Sequence, residues 1–431
     1  MKKSIFLTCV IVSLSFMFFA CVKDDALFLD VTSVEKQMEF DKSTVSKDEA
    51  SNLIRLMETS LLNKENVKTK SLESSIEQIM IDGSIAAYYL NYPNNKGFIV
   101  VSALKEDNPI IAFSDSGLFD PSDEPIQILL QERKAKRNSN DFVSVDTTNI
   151  NYKFWKMLEC EEGETISIEI ENLSQSEEVV STKAWDEREN PLNRSMIFPL
   201  CYPVTWGIGY GYNYYLNMTT NASGVKVRAN ASTLAVALAH IMYAYWNPSR
   251  YGWMYMPTKI EDKPENNKEN LVGALIRDIC NDLNVTYTSY LGEAIVYSKS
   301  MPNIPNLLQS KYEFSNGGNV IDYVSTEACF LNVYNSIRSG CPVLIYTHDI
   351  PGQYDAKVSG WVADGYQEVK IKVTKQKKVL GIVVSTKVYY YYTDYFHLLY
   401  SFNGSNNGWY VYSDGNGDAG KVKKAVINIK P

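Results

Sequence analysis

The sequence predicts an α+β protein, in which a small α+β domain precedes a larger domain with a central helix packed on an antiparallel sheet. Three observations predict this class. An amphipathic helical segment near residues 47–62 precedes several β-rich runs, a regular apolar helix follows Ser232, and the chain after about residue 340 is mostly β-rich. Helices and antiparallel runs that are segregated along the chain, instead of alternating, are typical of the α+β class.

Composition indicates a folded protein and argues against nucleic acid as a partner. Hydrophobic residues make up 45% of the 431 residues and charged residues 21%, which are ordinary values for globular proteins. The 42 basic and 50 acidic side chains give a net charge of -8, whereas phosphate binding requires a clustered excess of Lys and Arg. Since the chain has only three His residues, few bases or metal ligands are available. We expect no metal and no cofactor.

The N-terminus has the pattern of an exported lipoprotein. Met1-Lys2-Lys3 precedes an apolar run from Ile5 to Ala20, which is shorter than the roughly 20 residues of a membrane-spanning helix. Phe18-Phe19-Ala20-Cys21 is similar to a bacterial lipobox, and a lipidated Cys21 would anchor the mature chain. A plain cleaved signal with an incidental Cys is the alternative. Val22-Lys23-Asp24-Asp25 resembles the surface-export signal of lipoproteins in Bacteroides-like bacteria, so we expect the outer membrane or the cell surface.

Turn and capping signals divide the first half of the chain. Ser46 and Glu49 have the spacing of a capping box ahead of the first helix. The runs 86–90 and 97–103 flank a turn signal and predict a hairpin, to which 110–113 adds a third strand. A second helix is predicted over 127–136. The predicted organisation begins with a signal peptide (1–20) and a tether (21–44). The small domain (45–136), a linker region (137–190) and the large domain (191–431) follow.

The large domain is predicted from one helix and a series of strands. The helix begins around Asn230–Ser232, continues with apolar residues at helical spacing, and ends at Pro248. The β-rich runs that follow are 342–346, 360–363, 368–373, 380–384, 387–392, 396–402, 409–412 and 426–429.

Five cysteines follow Cys21, at wide and irregular spacings: Cys160, Cys201, Cys280, Cys329 and Cys341. Since there is no CxxC motif, the sequence does not support a zinc knuckle or a thioredoxin-type site. One or two disulfides and isolated buried thiols are both compatible with this pattern.

Segments of both domains follow the motif order of one known family. In the small domain they are 87–92, 96–103, 109–114 and 117–119; in the large domain they are 206–207, 212–213, 234–248, 361–366 and 404–410. Together they resemble the streptopain family of secreted cysteine peptidases, which are papain-like folds made with an N-terminal, Spi-type inhibitory prodomain. The resemblance implies that 45–136 is a prodomain-like domain, that 191–431 is a papain-like peptidase domain, and that the ligand is a peptide or protein.

The residues that this family uses for catalysis are replaced at the matching positions. Thr233 stands where the nucleophilic Cys opens the central helix, and Ser359 stands in place of the catalytic His. The orienting Asn is matched by Leu399, followed by Tyr400 in place of Trp, and the oxyanion-hole Gln by Ile208. Neither hydroxyl can serve as an activated thiol or as a base near neutral pH. The resemblance therefore implies a pseudopeptidase with vestigial site positions.

Three functional hypotheses follow. The first is a surface lipoprotein whose papain-like cleft binds a peptide or protein without cleaving it, an active peptidase being one such partner. The second is an active cysteine endopeptidase with displaced residues, for which Cys201 and His348-Asp349 are the candidates. The third is a carbohydrate-binding module that uses Tyr389–Tyr392 and the tyrosines of 210–215. Membrane contact is expected through the lipid anchor only, and no nucleic acid is expected.

Two further sets of residues are open to more than one interpretation. His240, on the central helix, and His397, on an apolar strand, are predicted to be satisfied core or cleft residues. Five lysines on a predicted hairpin could bind an acidic ligand, or could prevent edge-to-edge strand pairing: Lys370, Lys372, Lys375, Lys377 and Lys378.

Overall fold

The computed structural model describes residues 43–61, 76–139, 147–172, 194, 196–260, 270–289, 291–324, 326–349, 356–412 and 421–431. The predicted signal peptide, Cys21 and nearly all of the predicted tether lie outside the described residues. None of the helices in the described part of the chain is both long and apolar enough to cross a membrane.

The predicted helices are present, with others between them. In the described residues the helices are α1 Lys47–Leu61, α2 Glu124–Ser139, α3 Ile150–Met157, α4 Thr233–Tyr245, α5 Leu271–Asp282, α6 Ile304–Tyr312 and α7 Glu327–Arg338. The capping box of α1 is formed as predicted, because Glu49 N–H donates to Ser46 Oγ (3.2 Å) and Ser46 N–H donates to Glu49 Oε2 (2.8 Å).

Strands are distributed over both halves of the chain. They are β1 Glu77–Ile81, β2 Ser84–Asn91, β3 Phe98–Ser102, β4 Ile110–Ser114, β5 Glu164–Asn172, β6 Met218–Thr220, β7 Lys226–Arg228, β8 Thr286–Thr288, β9 Glu293–Ile295, β10 Asn319–Asp322, β11 Val343–Asp349, β12 Gly360–Val379, β13 Ile382–Leu399, β14 Gly408–Val411 and β15 Lys421–Ile427. The predicted hairpin is β2–β3 and the third predicted strand is β4. Strand β1 has no counterpart in the sequence prediction.

One antiparallel sheet runs through both halves of the chain. Its order in the described residues is β1-β2-β3-β4-β14-β13-β12-β11-β15-β10, with β5 paired to the distal part of β12. The two halves join where β4 pairs with β14, with Phe113 opposite Trp409 and Ala112 opposite Tyr410. Mixed helices and an antiparallel sheet confirm the α+β class.

The hairpin formed by β12 and β13 is much longer than the sequence indicates. Five separate runs between 360 and 402 were expected, and the structure joins them into strands of 20 and 18 residues. Strand β5 pairs with β12 from Asn172 opposite Val369 to Glu164 opposite Lys377. The predicted linker region 137–190 thus contains a helix, α3, and a strand of the main sheet.

Three hydrophobic cores surround this sheet. The first encloses α4, whose residues from Thr233 to Met242 are all buried. The second, on the other face, combines residues of 79–130 with residues of 329–427. The third packs α1 and α3 against the long hairpin. Since two of the three cores draw on both halves of the chain, the small domain is part of the same packed unit as the large one.

All five cysteines after Cys21 are free thiols. Cys201, Cys280, Cys329 and Cys341 are buried and Cys160 is exposed. These five cysteines are therefore isolated thiols, and no disulfide joins any two of them.

Candidate functional site

The start of α4 lies directly against the start of β12. Thr233 is the first residue of α4, and its Oγ1 accepts a hydrogen bond from Gly360 N–H (3.1 Å). A Cβ on Gly360 would lie 2.8 Å from the Cα of Leu234, so glycine permits the strand to approach the helix this closely. The position matched to the family nucleophile thus contacts the segment matched to the family base.

Ser359 precedes this contact and is held through its backbone. Its N–H donates to Thr347 Oγ1 (2.9 Å). The side chain is fully buried, and its Oγ has no hydrogen-bond partner among the described residues. A buried hydroxyl in this setting does not have the proton affinity of an imidazole.

The Leu399–Ser401 segment completes the arrangement from β13. Leu399 lies opposite Val362 and packs in the core around α4. Two residues later, Ser401 Oγ donates to the carbonyl oxygen of Thr233 (3.0 Å). Tyr400 N–H donates to Asn407 Oδ1 (2.8 Å), and its ring lies 6.0 Å from that of Trp361 in the core on the other face of the sheet. Leu399 therefore acts as a core residue.

The Ile208 segment is fixed near the same end of α4. Gly207 forms a β-bridge with Phe402, and Ile208 O accepts a hydrogen bond from Ala231 N–H (2.8 Å). The Ile208 side chain is partly buried against the core around α4. An aliphatic side chain at this point has no N–H to donate to a developing oxyanion.

The structure brings Thr233, Ser359 and Leu399 to one region and buries them. Ile208 is partly buried nearby, whereas the ring of Tyr400 lies on the other face of the sheet. Thr233 is 7% exposed, Ser359 0%, Leu399 3% and Tyr400 1%. The polar groups in contact around Thr233 are hydroxyls and backbone amides. Such groups can hold a helix against strands, but they do not generate a charged nucleophile near neutral pH.

The small domain contacts the large domain close to this region. Lys357, two residues before Ser359, pairs with Glu293 (2.7 Å) and with Glu124 (2.9 Å), the first residue of α2. The start of α2 therefore lies close to the buried positions.

A second contact joins the loop before α2 to the segment that follows β13. Asn406 is fully buried and accepts a hydrogen bond at Oδ1 from Asp120 N–H (2.8 Å). Its side-chain amide also donates to Asp120 O (3.1 Å) and to Asp123 Oδ2 (2.6 Å). These bonds tie the loop to the large domain.

His240 lies in the core, as predicted, but only one of its two ring nitrogens has a hydrogen-bond partner among the described residues. Its Nε2 accepts a hydrogen bond from Trp206 N–H (3.2 Å), and the two rings are stacked at 5.8 Å. The proton of the neutral ring is therefore on Nδ1, which has no hydrogen-bond partner among the described residues. Burial lowers the pKa of His240 to about 4, against the opposing charge of Asp364. The ring is neutral at physiological pH.

Asp364 links two residues that sequence reasoning treated separately. This fully buried carboxylate accepts a hydrogen bond from Cys201 N–H (2.8 Å), and its other oxygen lies 2.6 Å from His397 Nδ1. His397 is thus a satisfied residue, as predicted. The signal that could have revealed this pair is Asp364, which directly follows the apolar residues Trp361–Ala363 at the start of β12.

Cys201 has the properties of a structural thiol. It is fully buried, and burial together with the nearby Asp364 charge raises the pKa of its thiol well above the ordinary value. A raised pKa disfavours the thiolate that nucleophilic attack requires. The side chain of His348, its suggested partner, lies outside the described residues.

The tyrosine cluster is distributed over buried and exposed positions. Tyr391 is 4% exposed and donates to Asn151 Oδ1 (2.7 Å), while Tyr392 and Tyr212 are also buried. Tyr210, in contrast, is 55% exposed. The structure therefore does not place these rings on one common sugar-binding face.

The lysines of the β12–β13 hairpin face acidic residues on β5 and just before it. Lys372, Lys375 and Lys377 pair with Glu169 (2.7 Å), Glu164 (2.8 Å) and Glu161 (3.4 Å). Lys370 lies over the ring of Tyr390 at 4.8 Å. Most of this basic run is thus used to dock β5 and the residues before it.

Among the described residues, no three His, Cys, Asp or Glu side chains are grouped as a metal site would require. The hydrogen bonds at the start of α4 are made by hydroxyl groups and by backbone N–H and carbonyl groups.

Comparison with known families identifies both domains. Residues 42–137 match the sequence model of the Spi protease inhibitor, and residues 206–410 match that of the peptidase C10 family. The chain therefore combines a Spi inhibitor region with a peptidase C10 (streptopain-family) region. A mutant fragment of prointerpain A from Prevotella intermedia has a similar structure, with 14% sequence identity, a TM-score of 0.48, and coverage of 83% of this chain and 100% of the fragment. No curated protein matches the chain.

The two matches cover the two halves of the chain whose strands join, through β4 and β14, in the sheet described above. The streptopain-family match begins at Trp206, at the start of the Ile208 segment, and ends at Tyr410, in β14. The Spi match covers α1, β1–β4 and most of α2. The family resemblance derived from the sequence motifs is therefore confirmed.

Proposed function

We propose that this chain is a non-catalytic member of the streptopain family that binds a peptide or protein. The observation that carries the proposal is the hydrogen bond from Gly360 N–H to Thr233 Oγ1. It joins the two segments that motif matching assigns to the family's nucleophile and base, where this chain has Thr233 and Ser359. Replacement of the residues in all four catalytic roles should abolish most of the activity, because catalytic residues act as a unit and the loss of one disables the others.

Burial adds to this inference. An acyl-transfer site needs room for a scissile bond beside its nucleophile, whereas Thr233 and Ser359 are almost fully buried. The alternative, an active endopeptidase with displaced residues, depends on Cys201, whose thiol is buried and held protonated.

The partner would bind outside the enclosed region. Thr205 N–H donates to Thr258 O (3.0 Å), so the segments on either side of this bond lie next to each other. Three tyrosines on them are well exposed: Tyr202 at 80%, Tyr210 at 55% and Tyr255 at 75%. Exposed aromatic rings are frequent anchors of protein interfaces. An active peptidase is one candidate partner, in line with the name of the inhibitor family that the small domain matches.

The proposed location is the cell surface, through a lipid on Cys21. The supporting observation is the lipobox-like Phe18–Cys21 after a short apolar run. Incorporation of labelled palmitate in a producing bacterium, and its loss in Cys21→Ala, is the expected result. Equal labelling of the two chains would contradict the anchor.

Casein digestion and active-site labelling test the absence of catalysis. We expect no casein cleavage above the level of a Thr233→Ala variant and no labelling by E-64. Cleavage by the wild type that E-64 blocks, together with labelling of one cysteine, would establish the displaced-residue alternative.

A further inference from the structure

The tip of the long hairpin exposes a compact group of aliphatic side chains. Val379 is 50% exposed, Leu380 99%, Ile382 69%, Val383 45% and Val384 56%. We call these five residues the apolar tip. They are nearly consecutive, whereas the other exposed hydrophobic side chains of the described residues occur mostly singly or in pairs. A compact exposed apolar group of this kind marks an interaction surface.

The turn at the apolar tip has an unusual residue at its first position. Leu380 and Gly381 have φ values of 52° and 82°, and Val379 pairs with Ile382 across them. Positive φ at both central residues is the mark of a two-residue type I′ turn, for which Asn-Gly is preferred. A leucine is strained in this conformation. The chain therefore carries an almost fully exposed apolar side chain where a polar residue would fold more easily.

The apolar tip projects beyond the strand that covers the rest of the hairpin. Pairing between β5 and β12 ends with Glu164 opposite Lys377, and Lys378 N–H then donates to Gly163 O (2.8 Å). A Cβ added to Gly381 would meet no atom within 4 Å. At about 3.3 Å per residue, Leu380 extends roughly 10 Å past the end of this pairing, which matches the depth at which interfacial elements enter a bilayer.

Exposed lysines surround the base of the apolar tip. Lys378 directly precedes it and Lys387 follows three residues after its end, and both are exposed. Lys377 is 45% exposed and lies 3.4 Å from the exposed Glu161 carboxylate. Ammonium groups around an apolar projection complement anionic headgroups around a hydrocarbon interior.

We propose that the apolar tip inserts into the surface of an anionic phospholipid bilayer, with Lys378 and Lys387 contacting the headgroups. This contact would be additional to the proposed lipid on Cys21 and independent of the proposed binding function. It would hold the long hairpin against a membrane and orient both domains relative to it.

Vesicle co-sedimentation tests the contact without the lipid anchor. Every residue of the three cores lies between Val45 and Ile429, so a chain that begins at Val22 keeps the complete described fold. We expect this chain to sediment with vesicles of phosphatidylethanolamine and phosphatidylglycerol (3:1). It should bind vesicles of phosphatidylcholine more weakly, and salt should reduce the difference.

Two tip variants and one control separate insertion from other effects. Leu380→Asn suits the turn, so it should keep or improve stability while the partition coefficient for anionic vesicles falls about tenfold. Lys378→Gln with Lys387→Gln should reduce binding to anionic vesicles at low salt and leave binding to phosphatidylcholine unchanged. Val225→Asn, which changes another exposed aliphatic residue (55%) in the β6–β7 connection, should bind as the wild type does.

Three results would overturn the proposal. The first is a wild-type chain that stays in the supernatant with both kinds of vesicle. The second is a Leu380→Asn variant that binds as well as the wild type. The third is a wild-type dimer in sedimentation velocity that Leu380→Asn converts to a monomer, because the apolar tip would then be covered by a second copy of the chain.

Discussion

At the scale of single residues, Thr233 has a structural role at the start of α4. Its hydroxyl accepts a hydrogen bond from Gly360 N–H, and its carbonyl accepts one from Ser401 Oγ. The residue therefore joins the start of α4 to β12 and to the segment after β13. A cysteine could not accept the first bond as well, because sulfur is a weak acceptor.

Replacing Thr233 by Val should destabilise the fold without changing any activity. The substitution keeps the shape and leaves Gly360 N–H, in a buried environment, without its acceptor. We expect a loss of about 1–2 kcal/mol in the free energy of unfolding, measured by urea denaturation. Thr233→Ser retains the acceptor and is the matched control. If Val and Ser were equally stable, the hydrogen bond would not contribute.

His240 should make the fold sensitive to acid. Its folded-state pKa of about 4 lies below the ordinary value of 6.5. Its contribution to stability is thus complete above pH 6.5 and is lost as the pH falls through about 4. A depression of this size corresponds to roughly 3 kcal/mol when the ring is fully protonated in the unfolded state.

The variant His240→Gln tests this contribution. Its Oε1 can still accept from Trp206 N–H, and it takes up no proton. We expect the free energy of unfolding of the wild type to decrease more steeply than that of the variant between pH 6.5 and pH 4. Parallel pH profiles would mean that His240 takes up a proton in the folded state as readily as in the unfolded state.

Thr233 and Ser359 show how far motif matching reaches at the scale of single residues. Motif matching predicts that the two residues lie in the same region, and a hydrogen bond from Gly360 N–H to Thr233 Oγ1 joins their two segments. The pairing of His397 with Asp364 was not foreseen, because 33 residues separate them in sequence and their contact depends on the register of β12 and β13.

At the scale of elements, α2 is attached to the large domain by a buried ion pair. Lys423 of β15 contacts Glu132 of α2 at 2.5 Å, and their side chains are 8% and 5% exposed. Burial raises the pKa of Glu132, and Lys423 opposes this effect. Such a pair adds little net stability relative to apolar residues, but removing one partner is costly.

Lys423→Met should therefore destabilise the protein more than the double variant Lys423→Met with Glu132→Leu. We expect a loss of about 3 kcal/mol for the single variant near pH 7 and recovery of most of it in the double variant. The loss should shrink at acidic pH, because protonation of Glu132 removes the unpaired charge. Chemical denaturation at pH 7 and pH 5 measures both effects, and a double variant no more stable than the single one would contradict this account.

Element prediction succeeded where the signal is local and failed where it is not. The capping box of α1 and the N-cap region of α4 are encoded in adjacent residues, and both helices begin where expected. The acidic stretch near Glu161 and the lysines of β12 are each visible in the sequence. Their pairing joins residues about 200 positions apart in the sequence, and no local pattern specifies such a tertiary contact.

At the scale of the whole molecule, the inhibitor-like and peptidase-like domains are not separate bodies. The pairing of β4 with β14 carries one sheet through both, and two cores contain residues from each. The sequence predicted two domains from motif order. The sequence does not predict that the two domains share one sheet, because motifs locate domains but do not show which sheet edges pair.

Cutting the chain between the two domains should therefore not release the first one. We expect a protein with an engineered protease site between residues 180 and 181 to remain a single species in size-exclusion chromatography after cleavage. Because the cores are shared, the two fragments should unfold in one urea transition. The midpoint of that transition should rise with protein concentration, since cleavage makes folding bimolecular. A first fragment that elutes alone in native buffer, while the second stays folded, would instead indicate a detachable prodomain.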